Sequence, residues 1–365
     1  MKAHKQADRI FLWIVALFVF LGTIIFVSAW LGLLAREQTG YNGVLFTHSI
    51  SVVIGVIVLI GASNIPHRFW KRYSFYIFLF TLAITLLVFI PGLGVTHGGA
   101  NRWIYIFGYS LQPAELLKIG FLVYFAALLS SLKGDINNLR DGILPMALVF
   151  TAIAFILLSQ PDTGTLVVIF AAGMSMFIAA GGYWRYILGF VATGVAGLVA
   201  LAFARPYVME RFLTFFDPSR DALNAGWQIK QSLIAIGSGG VFGRGFGQSV
   251  QKFNYLPEPI GDSIFAVAAE EFGFVGAALI ILLFVLLASR GFYIAKRAKN
   301  KFGGLLVVGI VILILAQSFI NIGGMLGVIP LKGIPLVFIS HGGTALIVNL
   351  LAMGIILNIS KDIRT

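Results

Sequence analysis

Acidic and basic side chains are rare in this sequence, and a few of them lie inside or at the ends of long apolar runs. Asp262 precedes one such run, and Asp162 precedes another. Glu115 and Lys118 are three residues apart at the start of a third, a spacing that lets them pair on one face of a helix. A carboxylate in such a position can act as a general base. These four residues are the first candidates for a chemical site.

Each candidate also has a structural interpretation. The glutamate–lysine pair can be a neutralised bridge, and Asp162 can cap the helix that it precedes, because Asp before Thr-Gly is ordinary capping chemistry. Asp262 is equally open to capping and to catalysis. Glu270 and Glu271, two turns further along, can bond to neighbouring helices. The residues alone leave these alternatives open.

The composition explains why these few charged residues are conspicuous. The chain has 365 residues, of which 59% are hydrophobic and 11% are charged, whereas a soluble domain carries about a quarter charged residues. A soluble globular protein is therefore excluded. The absence of cysteine excludes disulfides, zinc–thiolate sites and thiol nucleophiles, and the five scattered histidines show no metal-ligand spacing.

Ten apolar runs are predicted to cross the membrane, since a crossing helix needs about 20 residues. The predicted fold class is therefore an all-α polytopic membrane protein with about ten transmembrane helices and one long structured extracytoplasmic loop. The whole chain, 1–365, is predicted to form a single integral membrane domain. The predicted spans are 10–34, 44–62, 75–90, 113–132, 143–158, 165–180, 186–204, 263–289, 305–328 and 335–359, of which the third, fifth and sixth are short.

The distribution of Lys and Arg predicts the orientation. With both termini in the cytoplasm, the cytoplasmic segments hold 16 of the 26 basic residues and the short outer loops hold 3. Cytoplasmic loops are enriched in Lys and Arg in this way. The net charge of +12 is thus a signal of topology, and we expect no nucleic-acid partner.

One outer segment, 205–262, is much longer than the other connections. Long loops usually carry function or are disordered, and this one is too rich in aromatic and aliphatic residues for disorder. Residues 228–236 are predicted to form a short amphipathic or re-entrant helix. Six glycines between Gly237 and Gly247 follow it, where backbone can approach a helix or ligand closely.

The motifs along the chain resemble one family closely, the polytopic SEDS proteins, which are cell-wall glycosyltransferases of division, elongation and sporulation. Their order and spacing carry the resemblance over nearly the whole chain. They are Gly99-Ala-Asn-Arg-Trp103, Leu111-Gln-Pro-Ala-Glu115 with Lys118, Gln160-Pro-Asp-Thr-Gly164, Arg211 through Asp217-Pro218, Gly226-Trp-Gln228, Gln231-Ser232, Ala235-Ile-Gly-Ser-Gly-Gly240, Leu256-Pro-Glu258, Asp262, Ile264-Phe-Ala-Val267, Glu270-Glu271, Asn321-Ile-Gly323, Gly327, Pro330, Gly333 and Ser340-His-Gly-Gly343.

The resemblance implies a peptidoglycan glycosyltransferase that polymerises lipid II outside the cytoplasmic membrane and releases undecaprenyl diphosphate. Asp262 matches the essential aspartate of the family and would be the catalytic general base. Lys118 and Arg102 would stabilise the departing diphosphate, and Glu115 would orient Lys118. The remaining substrate-binding candidates are Asp162 and Glu258.

The resemblance also implies ligands and partners. No organic cofactor is expected, and a divalent cation, Mg²⁺ or Mn²⁺, is a candidate for the diphosphate. The expected partners are lipid II, the nascent glycan strand, a class B penicillin-binding protein and other membrane proteins of the divisome or elongasome.

Segment 245–258 is more similar to the FtsW type and its sporulation relatives than to the RodA type. The chain departs from the family at Ser263, where Phe is usual, at Leu336-Val-Phe338, where Leu-Pro-Phe is usual, and at His341, where Tyr is usual. Within the family, an elongation or sporulation polymerase is the alternative to a division enzyme. Outside it, the rivals are a lipid II flippase and a non-catalytic scaffold of the division machinery.

Overall fold

The computed structural model describes residues 6–35, 41–97, 100–106, 109–132, 136–221 and 225–363 as a helical bundle with one small sheet. The sheet is antiparallel, has the strand order β1–β2–β3 and lies between the fourth and fifth helices of the chain. The elements are α1 (Arg9–Leu34), α2 (Tyr41–Asn64), α3 (His67–Arg72), α4 (Ser74–Leu86), β1 (Gly94–His97), β2 (Ala100–Ile106), β3 (Tyr109–Leu111), α5 (Pro113–Ser131), α6 (Leu144–Ser159), α7 (Thr163–Ala180), α8 (Trp184–Ala204), α9 (Pro206–Phe216), α10 (Ala225–Ser238), α11 (Ile264–Arg297), α12 (Lys301–Met325) and α13 (Gly343–Ser360).

Nine helices in the described part of the chain are long and apolar enough to cross a membrane, namely α1, α2, α5, α6, α7, α8, α11, α12 and α13. They confirm the predicted all-α membrane fold. The predicted third span corresponds to the shorter apolar helix Ser74–Phe89. At 1.5 Å per residue this helix measures about 24 Å, less than the roughly 30 Å of a hydrocarbon core.

The bundle has two ends that differ in their chemistry. At the terminal end, Ser360 Oγ accepts a hydrogen bond of 2.9 Å from the Asp8 backbone N–H, and Arg290 Nη2 lies 2.7 Å from Asp8 Oδ2. The beginning and the end of the described chain therefore lie together. Strand β2 and the start of α11 lie at the opposite end, which we call the site end.

One predicted boundary is wrong, and one element was not predicted. The tenth span was expected over 335–359, but α13 begins only at Gly343, because Pro330, Gly333 and Pro335 keep the preceding segment out of a helix. The sheet β1–β3 was not predicted either. Two of its strands have only four and three residues, too few to give a clear alternating pattern in an apolar sequence.

The interior of α11 contains a break at Gly273, where the backbone has φ 66° and ψ −166°. The glycine-rich part of the long outer segment, residues 240–245, forms four backbone hydrogen bonds with α11 on the two sides of this break. The carbonyls of Glu270 and Glu271 accept from the N–H groups of Arg244 and Gly245, at 3.0 and 2.9 Å. The N–H groups of Phe274 and Val275 donate to residues 240 and 241, at 2.9 and 3.1 Å. The helix predicted over 228–236 is present as α10, and the glycines that follow it pack onto a membrane helix.

The close packing at this break needs glycine. A Cβ atom on Gly243 would lie 2.1 Å from the backbone oxygen of Glu271, and Gly243 has φ +81°. Any side chain there would push the loop away from α11. These glycines therefore allow the loop to approach a helix closely, one of the two roles that the sequence analysis gave them.

The side chains of Glu270 and Glu271 hold the same loop. Glu270 accepts from Ser249 Oγ at 2.6 Å and from the Val250 N–H at 3.0 Å. Glu271 pairs with Lys252 Nζ at 2.6 Å, while Ser28 of α1 donates to Glu271 and accepts from Lys252. Both glutamates and Lys252 are fully buried. These two acids are therefore structural, which agrees with the interpretation that they bond to neighbouring parts of the fold.

We expect the buried Lys252–Glu271 pair to control stability. Lys252→Met alone leaves the Glu271 charge buried without its cation, which costs about 3–5 kcal/mol. Thermal unfolding in detergent should therefore begin several degrees lower. Combining Lys252→Met with Glu271→Gln removes both charges and should recover most of the loss.

Lys230→Met is the matched control. Lys230 is exposed, so its loss should leave the temperature of unfolding unchanged. A double variant that unfolds as early as the single variant would contradict a charge-pairing role.

Candidate active site

Asp262 lies just before α11, and its backbone is held by the non-helical segment that precedes α13 and by α12. Three successive carbonyls accept hydrogen bonds of 2.7 Å each. Ile260 accepts from the His341 N–H, Gly261 from Ser340 Oγ, and Asp262 from Asn321 Nδ2. The position of Asp262 is thus fixed by three donors from two other parts of the fold.

The residues beside Asp262 add further constraints. The carbonyl of Glu258 accepts from the N–H groups of Gly261 and Ser263, at 3.0 and 3.2 Å. Ser263, where the resembling family usually has Phe, accepts a hydrogen bond of 2.9 Å from Gln228 Nε2 of α10. This departure from the family pattern therefore ties α10 to the start of α11.

Gly333 closes one side of the Asp262 carboxylate. It has φ +63°, and a Cβ atom at this position would lie 3.3 Å from Asp262 Oδ2. A side chain there would be both strained and crowded against the carboxylate. Glycine lets the backbone of the 326–342 segment approach the carboxylate closely.

The environment of Asp262 makes it a stronger base than an ordinary aspartate. Burial and the negative charge of Glu258 raise the pKa of Asp262 to about 6, against the opposing influence of Arg211 and Arg102. Asp262 as a whole residue is half-buried. A carboxylate with this pKa is ionised at neutral pH and accepts a proton more readily than an unperturbed one.

Arg102 lies on β2 and is anchored to the turn between α6 and α7. Its Nε donates to the Gln160 carbonyl at 3.1 Å, and its Nη2 donates to the Pro161 carbonyl. Asp162 shapes that turn, since its carboxylate accepts from the Thr165 N–H at 3.1 Å and from Thr165 Oγ1 at 2.9 Å. Asp162 is therefore a buried helix cap, and its contact with substrate stays a prediction.

Glu115 and Lys118 form the expected ion pair on α5, with 2.7 Å between Glu115 Oε2 and Lys118 Nζ. Lys118 also donates to Gln317 Oε1 at 2.6 Å, and Gln317 Nε2 donates to the Pro335 carbonyl at 3.1 Å. Both charged side chains are buried. The pair thus supports the same 326–342 segment that lies against Asp262, and its direct role toward substrate stays a prediction.

Two cations at the site were not among the predicted site residues. The charge of Arg211, on α9, lowers the pKa of Asp262. Lys332 lines a narrow crevice together with Asp262 and lies 5.8 Å from the centre of the Phe212 ring. Burial and the nearby Arg211 charge lower the pKa of Lys332. Two features of the sequence could have pointed to these cations. Arg211 begins one of the family motifs, and Lys332 is one of only three basic residues in the short outer loops.

The structure therefore brings together some of the predicted residues and separates others. Asp262, Glu258 and Arg102 interact electrostatically, with Arg211 joining them. Asp162 contributes through the turn that anchors Arg102, while Glu115 and Lys118 lie in their own buried cluster. The resulting site combines one carboxylate base with several cations, an arrangement suited to a reaction that releases an anionic leaving group.

A second feature is an apolar cavity of about 660 Å³ between α6, α7 and α8. Its wall includes Phe150, Phe170 and Phe190. Helix α8 stands away from the bundle, with 11% of its apolar stretch buried. The cavity is thus open along a lipid-facing helix.

Comparison with known sequences places these features in a family. A probable peptidoglycan glycosyltransferase FtsW of Geobacter sp. (strain M18) is 36% identical over 366 residues, covering 100% of this chain and 99% of that protein. The stage V sporulation protein E of Bacillus subtilis (strain 168) is 40% identical over 312 residues, covering 85% of both chains.

Solved structures agree with the sequence relationship. A chain from a peptidoglycan synthase complex that coordinates polymerization and crosslinking superposes with a TM-score of 0.80 at 28% identity, covering 98% of both chains. The rod shape determining protein RodA of Thermus thermophilus gives a TM-score of 0.71 at 25% identity, again covering 98% of both. The family model for cell cycle proteins of the FtsW, RodA and SpoVE type matches residues 8–365. This chain, with its clamped aspartate at the end of a membrane bundle, belongs to the FtsW, RodA and SpoVE family.

Proposed function

We propose that this chain is a peptidoglycan glycosyltransferase that polymerises lipid II, with Asp262 as its general base. The observation that carries the proposal is Asp262, which has its backbone held by three hydrogen bonds and a pKa raised to about 6, and on which the charges of Arg102 and Arg211 act. The relatives described as probable peptidoglycan glycosyltransferases support it.

The chemistry is a single inverting displacement. The hydroxyl oxygen of the acceptor sugar attacks the anomeric carbon of the donor while the bond from that carbon to the diphosphate oxygen breaks. The diphosphate leaves with the bonding electron pair, and Asp262 takes the hydroxyl proton. One base suffices, because diphosphate leaves without being protonated, unlike the leaving group of a glycosidase. An α-linked donor thereby gives a β-1,4-linked strand.

Cations are needed where negative charge develops on the diphosphate. We assign this role to Arg211, Lys332 and Arg102, which lie on three different elements around Asp262. Arginine forks suit the paired oxygens of a phosphate, whereas lysine acts as a point charge. In this proposal, Lys118 and Glu115 hold the wall of the site in place through Gln317.

A divalent cation fits this site poorly. The described residues include no group of three or more His, Asp or Glu side chains that could hold a metal ion. The charges of Arg102 and Arg211 also act on the Asp262 carboxylate and would repel a further cation there. We therefore derive no step through Mg²⁺ or Mn²⁺, and the dependence on such an ion stays a prediction.

The proposal places the site at the outer face of the cytoplasmic membrane. Both ends of the described chain lie at one end of the bundle, and the excess of Lys and Arg predicts that this end is cytoplasmic. Asp262 and Arg102 would then face outward, where the glycan strand is needed. The apolar cavity beside α8 would accommodate the polyprenyl tail of a lipid-linked substrate.

A class B penicillin-binding protein is the proposed partner, because the similar structure with the higher TM-score is a chain of a peptidoglycan synthase complex. We also propose the division pathway as the setting. A sporulation role is the alternative, since the Bacillus subtilis sporulation relative is 40% identical.

Asp262→Asn should abolish strand synthesis from purified lipid II in detergent, because the amide cannot take the acceptor proton. We expect a loss of at least about 100-fold, the usual contribution of a general base. Thermal unfolding should stay unchanged. Gel analysis of labelled glycan products measures the rate.

Asp141→Asn is the control, since Asp141 is an exposed carboxylate away from the site and its loss should leave synthesis intact. Wild-type synthesis by Asp262→Asn would refute the assignment. Translocation of lipid II in liposomes without any polymer would favour a flippase instead.

The pH dependence of synthesis should reveal the charges around Asp262. The rate should rise with pH through a midpoint near 6, because the base works only when deprotonated. Glu258→Gln removes the negative charge that raises this pKa, so the midpoint should move to lower pH. Arg211→Gln removes a cation that lowers it, so the midpoint should move to higher pH. Shifts in the same direction for both variants would contradict this electrostatic picture.

A further inference from the structure

The side-chain amide of Asn321 has a fixed orientation. Its Nδ2 donates to the Asp262 carbonyl at 2.7 Å and to the Ile334 carbonyl at 2.8 Å. An amide nitrogen has two hydrogens, and both are therefore used. The side-chain oxygen cannot exchange places with the nitrogen without losing both bonds.

This orientation leaves Asn321 Oδ1 buried with no hydrogen-bond partner among the described residues. Asn321 itself is 4% exposed. An unsatisfied buried acceptor costs about 1–3 kcal/mol, so a native structure that keeps one calls for an explanation.

The surroundings of Asn321 narrow the choice of donor. Asn321 and Asp262 line the same narrow crevice, which leaves no space for a water molecule. Lys332, which also lines it, extends toward Phe212. The other side chains of the crevice are apolar, namely Ile320, Met325, Leu331 and Ile334.

We propose that Asn321 Oδ1 accepts a hydrogen bond from the carboxyl group of Asp262 once that group has taken a proton. The ionised carboxylate offers only acceptors, so it forms no bond with Oδ1 in the resting state. Protonation turns one carboxyl oxygen into a donor, and the proposal requires a rotation about the side-chain bonds of Asp262 that brings this oxygen to Oδ1 within the crevice that both residues line. The proton comes from the acceptor hydroxyl of the reaction proposed above, on which the catalytic meaning of this inference rests.

Asn321 is thus a positioning residue with two functions. Its nitrogen fixes the backbone of the base, and its oxygen stabilises the base after proton transfer. A hydrogen bond to the protonated form raises a carboxyl pKa, which adds to the influence of burial and Glu258. The charged groups that act on Asp262 are Glu258 from its own segment, Arg211 from α9 and Arg102 from β2, and Lys332 shares its crevice.

The test is a pH titration of the Asp262 carboxyl group by infrared difference spectroscopy, on the full chain in detergent and without substrate. Asp262→Asn identifies the band. In Asn321→Ala the midpoint should fall by roughly half a unit to one unit, which corresponds to the loss of one hydrogen bond to the protonated form.

Ser340→Ala is the matched control. Ser340 Oγ donates to the neighbouring Gly261 carbonyl, so its loss loosens the same backbone without removing an acceptor from the crevice. Its midpoint should stay at the wild-type value. An unchanged midpoint in Asn321→Ala, or equal shifts in both variants, would overturn the inference.

The titration is independent of the proposed activity. If the chain makes no polymer from lipid II but the midpoint falls in Asn321→Ala alone, the proposed function fails and the hydrogen bond stands. If synthesis depends on Asp262 and the midpoint does not move, the opposite holds. In active variants, the acid limb of the rate profile should follow the spectroscopic midpoint.

Discussion

The site depends on hydrogen bonds that pair the non-helical backbone inside a membrane bundle. Irregular backbone at membrane depth is tolerated only where protein or water satisfies its polar groups. Segment 239–262 meets this constraint by bonding to both sides of the break at Gly273, and the 326–342 segment meets it by bonding to Ile260 and Gly261, while Asn321 of α12 bonds to Asp262. The same bonds that make these segments stable therefore place Asp262 against Asn321 and Gly333.

The few acidic side chains near the site have two different roles, one structural and one chemical. Buried acids such as Glu270 and Glu271 accept several hydrogen bonds each and hold the loop to α11 and α1. Asp262 instead has its backbone held by hydrogen bonds, while Arg211 and Arg102 act on its carboxylate only through their charge. Burial penalises a charge in both places. Full pairing makes the first group structural, and incomplete pairing leaves the second group able to exchange a proton.

Some of the site was predictable from local sequence, and some was not. The Glu115–Lys118 pair follows from a three-residue spacing on one helix, and the capping alternative for Asp162 follows from the Thr-Gly after it. Arg211 and Lys332 were missed as site residues because they lie on separate connections, and nothing local links them to Asp262. The prediction of a helix from 335 was wrong because an apolar run does not reveal that its backbone pairs with another segment.

The sequence by itself determined the membrane fold, the approximate helices and the candidate base, because hydropathy and motif order are properties of the linear chain. Tertiary structure alone decided which acids are structural, which cations reach Asp262 and which donor holds each carbonyl of residues 260–262. The physical reason is that burial, pairing and electrostatic shifts depend on distances between segments far apart in the chain. Asn321 and Asp262, 59 positions apart, become one unit only after α12 packs beside the start of α11.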